Sequence, residues 1–174
     1  MKVRLREWKR KDAKDLAFIA NNKKIWDNVR DRLPFPYSEK DAKEWLDLVN
    51  KQDIVTTFCV EADGRVAGSI GLVLKDDVYR KSIEIGYFIG EEFWGKGIAT
   101  EAVRLLLEHI SVNFDAVRIY AEVFAYNKSS MRVLEKNGFY LECVRKKAAF
   151  KNNQVVDDYV FVKFPGEEDD VENH

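Results

Sequence analysis

Histidine and cysteine are nearly missing from this chain of 174 residues, which has two of each. His109 falls within a helical pattern and reads as an ordinary helix residue, and His174 is terminal. A histidine-based catalytic triad or a zinc site therefore has almost no material. Cys59 and Cys143 each lie in an apolar, strand-like segment and read as buried thiols, not as a disulfide framework. Neither sign of charge dominates: 29 Lys plus Arg face 30 Asp plus Glu. No long-range field marks the chain as a nucleic-acid binder. No apolar run reaches membrane-spanning length, so no membrane partner is expected. The opening MKVRLREWKRKD also lacks the apolar core of a signal peptide, and the expected compartment is the reducing cytoplasm. Repeats, linkers and low-complexity tracts are absent.

What is present centres on Ser82 to Leu107. Ile83, Ile85, Tyr87, Phe88 and Ile89 have strand character, and Ile98, Ala102, Leu105, Leu106 and Ile110 recur at helical spacing. Between them lies Gly95-Lys96-Gly97-Ile98-Ala99. Glycine tolerates positive φ and close approach, and the first amides of a helix have no intrahelical acceptor. A phosphate group fits such a place. Lys96 adds a cation and Thr100 a hydroxyl. The motif is neither a Walker loop nor a Rossmann fingerprint. It is either a plain turn or a pyrophosphate cradle of another kind.

The rest of the chain frames this stretch. Val3 to Arg6 alternates as a strand, with Trp8 closing it, and Lys9 to Asn22 reads as a helix. A second helical piece, Lys24 to Arg30, leads to Leu33-Pro34-Phe35-Pro36-Tyr37, whose prolines forbid a continuous helix. Ser38 with Asp41 has the form of a capping box opening a helix through Ala42, Trp45, Leu46 and Val49. Trp26, Phe35 and Tyr37 are either core residues or the wall of a substrate pocket. Ile54 to Glu61 and Val66 to Leu74 form a hairpin about Asp63-Gly64. Val117 to Phe124 is a strand. A short helix with Met131, Val133 and Leu134 follows, ending at Asn137-Gly138. Phe139 to Phe150 and Val155 to Phe164 are two more strands joined at Asn152-Asn153. The acidic end, 167–174, lacks a core pattern and reads as a solvated tail.

Taken together, Glu84-Ile85-Gly86-Tyr87, Trp94 to Ala102, Asn127, Ser130 and Glu135-Lys136-Asn137-Gly138-Phe139 resemble the GNAT superfamily of N-acetyltransferases. The likeness is to the branch containing the RimJ and RimL ribosomal-protein N-terminal acetyltransferases. It implies an α+β fold: one domain over 1–166 with a central, mostly antiparallel sheet of about seven strands and about four flanking helices. The implied activity is transfer of an acetyl group from acetyl-CoA to a primary amine, by direct attack in a ternary complex. The acceptor amine belongs to a protein N-terminus or a small molecule, and a homodimer stays open. Gly95, Lys96, Gly97, Ile98, Ala99 and Thr100 would take the diphosphate, Tyr87, Phe88 and Ile89 the pantetheine arm, and Asn127 and Ser130 further contacts. Two departures stand out. Glu92 replaces the Gln or Arg usual before the first glycine, and Leu134 stands where many members have a tyrosine acid. The second keeps a non-catalytic acyl-CoA-binding module as the alternative.

The chemistry needs a base for the amine, a donor for the carbonyl oxygen and a group to serve the leaving thiolate. A backbone amide near Phe88 is the expected donor. Glu84, sharing a strand face with Gly86 and Phe88, is either the base or a cross-strand salt-bridge partner. Ser130 either hydrogen-bonds the sulfur or caps the short helix.

Overall fold

A computed structural model describes residues 1–167; the acidic tail, apart from Glu167, lies outside the described residues. Seven strands form one sheet in the order β1-β2-β3-β4-β5-β7-β6. They are β1 (Val3–Glu7), β2 (Thr57–Ala62), β3 (Arg65–Leu74), β4 (Ser82–Ile89), β5 (Arg118–Phe124), β6 (Tyr140–Lys151) and β7 (Gln154–Lys163). Five α-helices accompany them: α1 (Ala13–Ala20), α2 (Lys23–Trp26), α3 (Glu39–Val49), α4 (Ile98–Asn113) and α5 (Lys128–Glu135). Every neighbouring pair is antiparallel except β4 and β5. The expected α+β architecture holds, with one helix more than anticipated.

Strand alternation sorts side chains between two cores. Ile119, Ala121 and Val123 of β5 join Ile83 and Ile85 of β4 beneath Ile98, Leu106 and Ile110 of α4 and Leu134 of α5. On the opposite face, Trp8, Leu16, Ala20, Tyr37, Leu46 and Cys59 pack under α1 and α3, with Phe88 against them. Glu84 shares the Phe88 face. No helix covers the even-numbered residues of β5 there, and Arg118, Tyr120 and Glu122 stay partly exposed.

Several boundaries differ from those read in the sequence, each for a tertiary reason. The helix read from Lys9 begins as a 3₁₀ turn at Arg10–Asp12. There the Asp12 carboxylate accepts from the Lys9 amide at 2.9 Å and from the Arg6 guanidinium at 2.8 and 3.0 Å. The next helix stops at Trp26, four residues short of Arg30, because the chain turns to carry Arg30 to the sheet. Residues 54–56 precede β2 without a β1 partner, since that ladder ends at Glu7 and Phe58. The capping box is as read: Ser38 Oγ accepts from the Asp41 amide at 3.2 Å, and Asp41 accepts from the Ser38 amide at 2.7 Å. Cys59 is buried, but Cys143 is exposed. Its apolar neighbourhood belongs to β6, the uncovered edge strand, where Tyr140, Leu141 and Phe150 are exposed as well.

Asp12 is buried at 3 % exposure. Burial pushes its carboxyl up, but the Arg6 and Lys9 hydrogen bonds prevail and hold it below the usual range. A depressed folded-state value gives stability that is present above the unfolded value and is lost as pH falls through the folded one. Asp12→Asn should therefore lower the urea midpoint at pH 7, with the difference from wild type vanishing toward pH 2. A gap that persists undiminished in acid would refute the electrostatic reading.

Candidate active site

The parallel ladder between β4 and β5 covers only Ser82–Glu84 and Arg118–Tyr120. The antiparallel ladder between β3 and β4 continues to Ile89. Two bonds fix which way each β4 peptide faces. The Val117 amide donates to Lys81 O at 3.0 Å, toward β5, and the Gly90 amide donates to Ala67 O at 2.8 Å, toward β3. Because peptide groups alternate sides along a strand, the odd-numbered residues of β4 face β5. Beyond the end of the ladder, Tyr87 and Ile89 turn their amides into the opening. The Phe88 amide faces β3, so of the amides near Phe88 it is those of Tyr87 and Ile89 that face the opening. Ile89 O is taken by the Trp94 indole at 2.7 Å.

Gly95 and Gly97 have φ of 71° and 74°. A Cβ on either would meet nothing within 4 Å. Positive φ, not crowding, selects glycine here, and the space before the loop is open. Gly97 is the N-cap of α4, with no side-chain cap, and the Glu101 amide makes the first bond back, to Gly97 O at 3.1 Å. The Ile98, Ala99 and Thr100 amides thus have no backbone acceptor among the described residues and point out of the helix end. Lys96, expected to reinforce an anion field, instead donates to Glu92 O at 2.8 Å and lies 5.7 Å from the Phe93 ring.

These elements line a cleft of about 660 Å³ that contains Tyr87, Phe88, Ile89, Gly95, Gly97, Ile98, Ala99, Thr100, Asn127 and Ser130. The structure thus brings most of the expected cofactor residues to one place. It also adds Lys128, Arg132 and Lys136 along α5, and Lys24 opposite. The α5 cations were overlooked, although their spacing of four residues puts them on one helix face. Asn127 is the N-cap of α5: its Oδ1 accepts from the Ser130 amide at 3.3 Å and from Ser129 Oγ at 3.1 Å. Ser130 therefore does not cap the helix. Its hydroxyl lies 2.8 Å from the Tyr87 hydroxyl. Leu134 is fully buried and offers no polar atom.

Glu84 sits at the last rung of the parallel ladder and is 8 % exposed. Its Oε1 accepts from Arg30 at 2.5 Å and its Oε2 from Lys75 at 2.8 Å; Arg30 also reaches Glu122 at 2.8 Å. Burial pushes the Glu84 carboxyl up, but Lys75 and Arg30 outweigh that and hold it below the usual range. On the same face is a smaller depression of about 440 Å³, lined by Lys75, Asp76, Arg118, Glu122, Glu142 and Arg145 among others. Glu84 lines neither; on its face of β4, Ser82 before it lines the depression and Phe88 after it lines the larger cleft. Its partner Lys75, and the Glu122 that shares Arg30, line the depression, whereas Asn28 and Val29 beside Arg30 line the larger cleft.

The aromatic trio read as core or pocket wall lines neither space. Tyr37 is 5 % exposed in the core beneath α1 and α3, so it is a packing residue. Trp26 lies 5.9 Å from the Phe35 ring and carries the Lys151 ammonium 3.5 Å above its face. Both hold the loop after α2 against the end of β6. Among the described residues no cluster of His, Cys, Asp and Glu is disposed to hold a metal ion, and no helix is long and apolar enough to cross a membrane.

The family model for the acetyltransferase (GNAT) domain matches residues 2–140. The spermidine N(1)-acetyltransferase of Escherichia coli (strain K12) is 29 % identical over 155 residues, covering 87 % of this chain and 80 % of its own. The ribosomal-protein-serine acetyltransferase of the same strain is 26 % identical over 122 residues, 68 % of each chain. Mycobacterium smegmatis RimJ, solved in complex with CoA-disulfide, superposes with a TM-score of 0.84 at 22 % identity, covering 94 % of this chain and 82 % of that one. The chain belongs to the acetyltransferase (GNAT) domain family and is an N-acetyltransferase.

Proposed function

We propose that this enzyme, as a single domain over 1–166, acetylates a primary amine by direct attack within a ternary complex. Donor and acceptor enter from the two spaces on either side of Glu84 along β4. The observation that carries this reading is the position of that carboxylate, at the point where β4 and β5 part, on a strand face whose Ser82 lines one space and whose Phe88 lines the other. Acetyl-CoA supplies an acetyl group activated as a thioester, with a thiol as leaving group. The unpartnered amides of Ile98, Ala99 and Thr100 hold its diphosphate. Lys128, Arg132 and Lys136 add positive charge along the same cleft. The Tyr87 and Ile89 amides are donors for the carbonyl oxygen.

Glu84 takes the proton from the incoming ammonium. Arg30 has a side chain 58 % exposed, twice the 29 % of Lys75. It is therefore the cation that an arriving ammonium displaces from Glu84. The smaller depression then receives the body of the acceptor. Its lining cations Lys75, Arg118 and Arg145 are matched by Asp76, Glu122 and Glu142. A polycation gains little from such a balanced wall, so a peptide N-terminus fits it better than a polyamine. Relatives of both kinds exist, one acting on spermidine and one on a ribosomal-protein serine. A thiol-release assay with acetyl-CoA decides between them. Serine-initiated peptides should show a higher kcat/KM than spermidine or an aminoglycoside, and the reverse order would exclude the peptide assignment.

Gly97→Trp should weaken CoA binding by about 100-fold in calorimetry, ~2.7 kcal/mol, with the circular dichroism spectrum unchanged. Wild-type affinity in that variant would remove the diphosphate cradle. Glu84→Gln should lower kcat/KM by roughly 10²–10⁴ at pH 7 while leaving CoA affinity intact. The deficit should shrink as pH rises and the free amine becomes abundant. In Arg30→Ala the Glu84 anion loses a stabilising cation, so the acidic limb of the kcat/KM profile should move to higher pH; an unmoved limb would dismiss Glu84 as the base.

A further inference from the structure

The turns that follow α2, residues 27–33, carry Arg30 to Glu84 and Glu122. The Arg30 side chain is 58 % exposed, so packing contributes little to holding it there. Val29 and Leu33 tie one side of the segment to the core beneath α1 and α3. Its other side is gripped by the tip of the β6–β7 hairpin, both before and after Arg30. Before it, Asp27 Oδ1 accepts from Asn152 Nδ2 at 2.8 Å, and the Tyr126 hydroxyl donates to the Asp27 carbonyl oxygen. After it, Asp31 Oδ1 accepts from Lys151 Nζ at 2.7 Å, across 120 residues of chain. The two members of that last pair differ in what they need. The Asp31 side chain is 68 % exposed and would be solvated on its own, whereas that of Lys151 is 2 % exposed. The Trp26 ring, 3.5 Å from the ammonium, covers one side of it. A buried ammonium is costly unless it is paired. Asp31 therefore cannot swing away without stranding that charge, and Arg30 is the residue next to it in the chain.

We propose that Lys151 is a positioning residue that, through Asp31, holds Arg30 on the Glu84 carboxylate and so sets how readily an acceptor ammonium takes the place of Arg30. The consequence for turnover rests on the reading of Glu84 as the base; the grip on Arg30 does not. The charged and titratable groups that face Glu84 are Arg30 from this segment, Lys75 after β3, and Tyr120 and Glu122 on β5. Lys75 arrives from the end of a strand, so its hold on the carboxylate is independent of the hairpin. Arg30 alone of the two cations is placed by the Lys151 pair. With the grip gone, Arg30 spends less time on Glu84, the anion loses part of its stabilisation, and its carboxyl moves up toward the usual range. An intact grip keeps the base ionised between turnovers and returns Arg30 to it once the product has left.

The test reads Glu84 itself and needs no substrate. The side-chain carboxyl carbon of Glu84 is followed against pH by NMR in the full chain, its resonance identified by its loss in Glu84→Gln. In the wild type it should titrate below ~4.3, the ordinary glutamate value. Lys151→Met keeps the length of the side chain and removes its charge; it should raise the midpoint by about half a pH unit, a threefold gain in proton affinity. Losing a nearby cation would raise it through space as well, so the deciding variant is Asp31→Ala, at an exposed position. Loss of the Asp31 anion acts through space to lower the midpoint, whereas loss of the grip should raise it, again by about half a pH unit. In an Arg30→Ala background Asp31→Ala should give no rise, because the interaction it weakens has already gone. A midpoint in Asp31→Ala at or below that of the wild type would overturn the inference, and so would a wild-type midpoint at the ordinary value. Should Lys151→Met fail to fold, Asp31→Ala decides alone. A raised midpoint with no matching move in the acidic limb of kcat/KM would uphold the grip and remove Glu84 as the base.

Discussion

Beyond Glu84 and Tyr120 the two parallel strands at the centre of the sheet separate, leaving peptide groups on β4 that no strand pairs. Each strand is secured on its far side, β4 to β3 as far as Ile89 and β5 to β7 as far as Phe124. The gap therefore persists without the sheet falling apart. An unpaired backbone donor in a protein interior costs free energy comparable to a lost hydrogen bond. A ligand that accepts from those groups recovers the loss. The gap also lets α5 and the α4 N-terminus approach from one side and the loop after α2 from the other. The α4 crossover that a parallel pair demands delivers its open helix end to the mouth of the gap.

Charge in the site is arranged around the same point. Glu84 is nearly buried, and an isolated carboxylate there would be neutral. Arg30, from the loop after α2, and Lys75, which follows β3, keep it ionised. The carboxylate is thus charged and close to the opening, yet engaged until another cation arrives. The larger cleft differs. Its cations, Lys24, Lys128, Arg132 and Lys136, are exposed and stand around an open helix end, as a polyanionic ligand requires. The smaller depression, by contrast, is lined by cations and carboxylates in equal number.

Much of this was legible before any coordinates. The period-2 run of β4, the glycine pair and the period-3.6 run of α4 are local patterns, and each formed where it was read. The capping box at Ser38 and Asp41 and the glycine stop at Gly138 depend only on chain neighbours. The errors lie where distant contacts decide. Cys143 has apolar neighbours yet is exposed, because sequence does not tell an edge strand from a central one. For Tyr37, open in the sequence between core and pocket wall, the packing of α1 against α3 decides for the core. Asn127, not Ser130, caps α5, and only the fold brings the Tyr87 phenol from β4 to the serine hydroxyl. The α5 cations were present in the sequence at a spacing of four and went unread because nothing local ties them to the glycine loop.

By itself the sequence determined the elements, the glycine turn at Gly95 to Gly97 and the family, because hydrophobic period, glycine placement and motif order are properties of the chain alone. Tertiary structure alone decided that β4 and β5 part after Glu84, that Arg30 from a loop 54 residues away holds that carboxylate, and that Tyr87 meets Ser130. Those contacts arise from strand order and the packing of helices on two faces, and pairing across the sheet leaves no local signature in the residues it joins.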